Sequence, residues 1–132
     1  MATPPIVEAA IREIQDNIPD FDITLHFHNT RGVGLANVLI GLNEGIYLYE
    51  SCFGGIGGCP FAPDATGNIC SEDLIYLLHE MGIDTGINLD QLINVAKRVE
   101  KLVGHRLPGQ VMRAGPRLLK YSMEDVPTAI GA

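Results

Sequence analysis

His26 and His28, separated by a single phenylalanine, are the side chains in this sequence whose type and spacing best suit holding a metal ion. They end a run, Asp22 to His28, in which apolar and polar residues alternate. Ile23, Leu25 and Phe27 fall on one face of a strand of that period, and Thr24, His26 and His28 on the other. Residues two apart on a strand project to the same side, close enough to share one small ion. Both histidines sit at the strand's C-terminal end, where open α/β sheets and barrels place their active sites. Neutral imidazole suits Zn²⁺, Mn²⁺ and similar ions, and oxygen ligands beside it move the preference toward Mn²⁺ or Mg²⁺. An H-x-H pair taken alone is as often one core histidine and one loop histidine, so the spacing leaves both readings open.

Other residues have chemical potential and a plainer alternative. The stretch Gly54 to Pro60 (GGIGGCP) follows neither the P-loop pattern nor dinucleotide spacing, and reads as a mobile active-site loop whose glycines let the backbone approach a ligand. Cys59 lies within it as a lone thiol, more often a bystander than a reactive group. Asn68 precedes a helix start, where asparagine commonly serves as a cap or turn residue. Glu72 and Asp73 suit the first turn of a helix, favourably placed against its dipole. His79 and His105 read as surface groups.

The elements that must position these residues follow from periodicity. Thr3, Pro4 and Pro5 open a helix; Ile6, Val7, Ala10, Ile11, Ile14 and Ile18 give it one packing face, and Asn17 and Pro19 end it. After the 22–28 strand, a helix follows the Gly32–Gly34 turn with Leu35, Leu39 and Leu42 as its stripe, ended by Gly45. Ile46 to Cys52 reads as a second, short strand suited to burial. Ser71 is the expected N-cap of a helix packing through Leu74, Ile75, Leu77, Leu78 and Met81 and stopped by Gly82. A last helix, about Leu89 to Val103, packs through Leu92, Ile93, Ala96, Val99 and Val103. Beyond Gly104 the periodicity fades, and Pro108, Pro116 and Pro127 suggest an extended tail. The order α-β-α-β-α-α implies parallel strands joined by a βαβ crossover.

Composition narrows the function. A formal net charge of −7 argues against a nucleic-acid backbone as partner, although a metal or a few local cations can still receive an anionic substrate. Cys52, Cys59 and Cys70 have no C-x-x-C spacing, so neither a disulfide framework nor a structural zinc site is indicated. With no secretory leader or membrane-length apolar run in the 132 residues, the expected setting is cytoplasmic and away from a membrane.

Five segments together resemble a known family: Leu25–Gly32 (LHFHNTRG), Gly34–Asn37 (GLAN), Gly54–Pro63 (GGIGGCPFAP), Ala65–Asn68 (ATGN) and Glu72–Leu74 (EDL). In this order and spacing they are similar to the C-terminal part of the 3-hydroxy-3-methylglutaryl-CoA lyase family, metal-dependent barrel enzymes related to acyl-CoA condensing synthases. The resemblance runs from about Ala2 to Gly115. Distant relatives making isopropylmalate, citramalate or homocitrate share the H-x-H feature, but typically carry an acidic residue where Thr30 stands and lack the Gly-Gly-Cys-Pro loop. By this resemblance the fold is a partial (β/α)8 TIM barrel: the last two βα units plus C-terminal helices over residues 1–104, with an extended tail over 105–132. The resemblance implies His26, His28 and Asn68 as ligands of Mg²⁺ or Mn²⁺ and Cys59 as the loop thiol that protonates the product enolate. It also implies Asn29 and Glu72 as groups supporting the metal site; Asn29 stands where other members often have aspartate. The implied reaction cleaves the 3-hydroxy-3-methylglutaryl thioester to acetyl-CoA and acetoacetate, with an acyl-CoA as the small-molecule partner. The other readings are a non-catalytic or partner-dependent fragment, and a lyase or condensing synthase acting on a related hydroxyacyl-CoA.

Such a barrel has eight strands and about 250 residues, and this chain supplies two clear βα units. Met1 resembles an internal methionine of the family, just after its sixth strand. The acidic and arginine residues that the family places on earlier strands have no counterpart here, leaving three ligands against the six that Mg²⁺ prefers. The expectation is a chain that is unstable alone, self-associates, or pairs with a polypeptide carrying the missing strands.

Overall fold

The structure, a computed structural model, describes residues 2–58, 67–118 and 120. Helix α1, Pro4–Asn17, has its prolines in the first turn, where no intrahelical N–H is lost. It leads to strand β1, Thr24–His26, then helix α2, Gly34–Asn43, and strand β2, Leu48–Glu50. A 3-10 turn at Phe53–Gly55 precedes helices α3 (Ser71–Glu80), α4 (Leu89–Val103) and α5 (Val111–Ala114). The two strands pair in parallel, with Thr24 opposite Leu48, Leu25 opposite Tyr49 and His26 opposite Glu50. β1-α2-β2 is therefore the expected βαβ unit, with the helices packed on one face of the sheet.

Both strands are shorter than the alternation suggested, because segment 67–71 takes over the pairing at their C-terminal ends. Ile69 donates its N–H to the carbonyl of Phe27 at 3.0 Å, and Ile69 O accepts from Cys52 N at 3.1 Å. The chain stays extended past His26 and past Glu50, but its partner changes.

The alternation itself holds. Phe27 is buried and Leu25 packs against the core, while Thr24 and His26 are exposed. The main core joins Val7 and Ile11 of α1, Phe27, Val38 of α2, Ile46, Ile69 and the Leu74–Ile75–Leu78 face of α3. A second cluster joins Ile93 and Ala96 of α4 to Leu107 and Met112. Each fully buried aliphatic side chain contributes about 1.5–3 kcal/mol. These clusters, rather than the exposed pairing of Arg12 with Glu44 that links α1 to α2, hold the layers together.

Four local expectations change. The buried face of α2 is Gly34, Asn37, Val38 and Gly41, not the leucine stripe. A Cβ at residue 41 would collide with the side chains of Leu25 and Tyr49, so the small residue lets helix and sheet approach closely. In α1 only Val7 and Ile11 of the expected face are buried, leaving Ile6 and Ile14 exposed. Ser71 is the first helical residue of α3 rather than its cap, and its hydroxyl bonds that of Ser51 at 2.8 Å. Finally, the described start of the expected tail folds back onto the helices over residues 105–114, while Pro127 lies outside the described residues. Leu107 and Met112 are almost wholly buried, and Asp73 accepts the N–H groups of Gln110 and Val111 at the start of α5.

Candidate metal centre

Three side chains expected to act together sit at the C-terminal mouth of the sheet. β1 ends at His26, and His28 follows in extended backbone. The two imidazole rings lie with centroids 5.2 Å apart, tilted by 56°. They open into a cleft of about 300 Å³ bordered also by Thr30 and Arg31.

Asn68 reaches this place through the backbone. Asn29 N donates to Gly67 O at 3.2 Å and Ile69 N to Phe27 O at 3.0 Å. Those two bonds bracket His28 and Asn68 and make them an antiparallel pair that exchanges no hydrogen bond of its own. Such pairs bring side chains closest, on one face of the ladder. An asparagine forty residues downstream of a histidine thus becomes its immediate neighbour.

The Asn68 amide is oriented. Its Nδ2 donates to Ile56 O and to Cys52 Sγ, each at 3.1 Å. Both protons of the nitrogen are thereby engaged, which leaves Oδ1 as the atom able to meet a cation. Gly57 lies against this amide: with φ of 120°, and with any Cβ there only 2.8 Å from Nδ2, the position is restricted to glycine.

Glu50 was not singled out in the sequence, yet it stands directly across from His26, with Oε2 3.1 Å from Nδ1. A carboxylate accepts, so this contact suits the tautomer with its proton on Nδ1, in which Nε2 carries the lone pair for a ligand. Nothing local in the sequence fixes the register of the two strands, so the pair was not readable from it.

The remaining candidates separate by what they touch. Asn29 accepts the N–H of Gly34 at 3.0 Å through Oδ1, tying the start of α2 to the histidine strand. Glu72 and Asp73 are buried, not merely first-turn acids facing solvent. Glu72 Oε2 accepts the N–H of Gly54 at 3.0 Å, anchoring the start of the glycine-rich segment, and Oε1 lies buried beside Gly109 without a bonding partner. His79 bonds Thr85 at 2.9 Å, and His105 is exposed. Cys59 lies outside the described residues. Cys70 is buried, and desolvation pushes its thiol up.

Desolvation also raises the Glu72 carboxyl above the usual carboxylate range, against the lowering effect of the Gly54 N–H. A folded-state pKa above the unfolded one gives a contribution present below the unfolded pKa and lost as pH rises through the folded value. Glu72→Gln keeps an acceptor for Gly54 but cannot ionise. Stability relative to the parent chain should therefore improve as pH rises above the ordinary carboxylate range, measured by denaturant unfolding. An unchanging difference would show that burial of Glu72 carries no ionisation penalty.

Among the described residues no three His, Cys, Asp or Glu side chains converge on a metal geometry. The candidate donor set is two imidazoles and one carboxamide oxygen. That mixture of nitrogen and oxygen fits part of the coordination of Mn²⁺ or Mg²⁺, short of a full octahedron.

Comparison with known proteins identifies the frame to which this site belongs. A model of the HMGL-like family matches residues 1–99. The chain belongs to the HMGL-like family. It is 48% identical over 116 residues to (R)-citramalyl-CoA lyase of Chloroflexus aurantiacus, covering 88% of this chain and 37% of that protein. To hydroxymethylglutaryl-CoA lyase YngG of Bacillus subtilis it is 40% identical over 109 residues, covering 83% of this chain and 36% of that protein. An HMG-CoA lyase of Acinetobacter baumannii, solved with coenzyme A and 3-methylmalate, superposes with a TM-score of 0.86 at 43% identity, over 93% of this chain and 40% of that one. The chain thus spans little more than a third of the length of its relatives. It corresponds to a portion of the HMGL-like lyases, built of two parallel strands and their helices.

Proposed function

We propose that this chain is the metal- and loop-bearing portion of an acyl-CoA lyase that cleaves a carbon–carbon bond in a 3-hydroxy-3-methylglutaryl-type thioester. The observation that carries the reading is the pairing of His28 with Asn68 beside His26 at the C-terminal mouth of the sheet. His26, His28 and Asn68 would hold the cation; the chemistry a bound Mg²⁺ or Mn²⁺ supplies is acidification and orientation of the substrate hydroxyl. In the reaction that hydroxyl gives up its proton to a base, the C2–C3 bond of the thioester breaks, and its electrons pass to the acetyl-CoA enolate. Cys59, which follows the described glycine-rich segment, is the proposed acid that protonates the enolate. The base is not among the residues assembled here, and belongs to the preceding strands. A cleft of about 450 Å³ beyond the glycine segment, lined by His105 and Arg106, suits a phosphate of the thioester.

The inner face of the sheet supports a need for those strands. Thr24, His26, Leu48 and Glu50 are exposed where a closed barrel would bury or enclose them. The proposed unit is this chain joined to, or assembled with, the preceding barrel strands, either as one polypeptide or as two.

A second reading, cleavage of citramalyl-CoA, is favoured by the higher identity to that lyase, 48% against 40%. Both thioesters present a tertiary hydroxyl at the same carbon and both release acetyl-CoA. The completed enzyme, given each thioester in turn with Mn²⁺, distinguishes the readings by its oxo-acid product. Acetoacetate formed at higher kcat/KM supports the first, and preference for the shorter acid supports the second. Cleavage of neither would overturn both.

A further inference from the structure

We propose that Cys52 is a positioning residue of the metal centre, holding the Asn68 amide, together with the Ile56 carbonyl, so that Oδ1 and not Nδ2 meets the ion. The inference rests on the reading of Asn68 as a ligand. A carboxamide coordinates a hard cation through its oxygen, and a flipped amide would turn two N–H groups toward the ion. Orientation is therefore decisive for this ligand, as it is not for a carboxylate.

The structure supplies the means. Ile56 O can only accept, so the amide atom facing it at 3.1 Å must be the nitrogen. Cys52 Sγ, also at 3.1 Å, takes the second proton. In the flipped state Oδ1 would face the carbonyl lone pairs, which repel it. The sulfur is itself fixed by backbone: Cys52 N donates to Ile69 O at 3.1 Å and Cys52 O accepts from Ser71 N at 2.9 Å. The acceptor on β2's continuation and the ligand on segment 67–71 are thus held on either side of one short parallel bridge. Neither the H-x-H pair nor the glycine-rich motif points to Cys52, which lies before the loop.

The test measures Mn²⁺ affinity by calorimetry in the chain assembled with the preceding barrel strands, for the parent, Asn68→Ala, Cys52→Ala and Cys52→Ser. Partners that orient a ligand typically account for about 10–100-fold in metal affinity. Cys52→Ala should weaken Mn²⁺ binding by about tenfold or more, and Cys52→Ser, which keeps an acceptor, should lie close to the parent. In an Asn68→Asp background, where no N–H needs holding, Cys52→Ala should have no further effect. The side-chain amide resonances of Asn68 should shift in Cys52→Ala without metal. Unchanged affinity in Cys52→Ala while Asn68→Ala binds weakly would overturn the positioning role and leave the ligand reading standing. Unchanged affinity in Asn68→Ala would overturn the ligand reading itself. Equal losses in Cys52→Ala and Cys52→Ser, persisting with Asn68→Asp, would assign the effect to packing of the sulfur and overturn the proposal.

Discussion

Replacing His28 with alanine is expected to lower Mn²⁺ affinity by about 100-fold or more in the completed barrel, at little cost in stability. The lower bound follows from what partners outside the ligand set already contribute, about 10–100-fold; loss of a ligand should exceed that. The fold should tolerate the change because two backbone bonds bracket His28, from Asn29 N to Gly67 O and from Ile69 N to Phe27 O. Alanine keeps both, and Phe27, which anchors this stretch in the core, is untouched. His26→Ala should behave alike, for its ring is substantially exposed at 44% and meets Glu50 across the sheet rather than the core. Calorimetric titration with Mn²⁺, paired with a thermal melt, separates the two quantities. Unchanged affinity in either variant would remove that histidine from the ligand set. A large loss of stability would mean that the imidazoles serve packing.

The histidine pair was legible because a strand writes its faces into the sequence with period two, and Thr24, His26 and His28 obeyed it. The starts and ends of α1 and α4 were legible too: Pro4 and Pro5 start one and Gly104 follows the other, whereas the cap Asn88, which accepts Gln91 N at 3.0 Å, was not singled out. Contacts across sequence distance were not legible. Asn68 entered as a ligand only by resemblance, since its approach to His28 depends on a bridge between two irregular segments. Glu72 and Asp73 read as first-turn acids because nothing local reveals that their acceptors serve Gly54 and the start of α5. The face of α2 was misread because close packing against Leu25 and Tyr49 requires glycine at position 41, which a search for leucine spacing overlooks. Leu107 and Met112 were hidden for lack of any period: two isolated apolar residues among prolines and glycines carry no pattern, yet both are core.

Family membership rests on residues 1–99, and this chain spans little more than a third of the length of its relatives. On the proposed reading, the exposed inner face of the sheet and a candidate donor set of two imidazoles and one carboxamide belong to a site that further strands would close. The effect of closing it is the largest the account expects, because catalysis needs the base, the remaining ligands and exclusion of water together, and groups that act as a unit fail together. The direct measurement is the rate of thioester cleavage in Mn²⁺, by this chain alone and after assembly with a polypeptide carrying the preceding barrel strands of a relative. The account predicts no turnover by the chain alone. Assembly should produce acetyl-CoA in a reaction that chelation abolishes. Robust cleavage by the isolated chain, or a well-folded assembly that binds Mn²⁺ yet cleaves neither thioester, would contradict it.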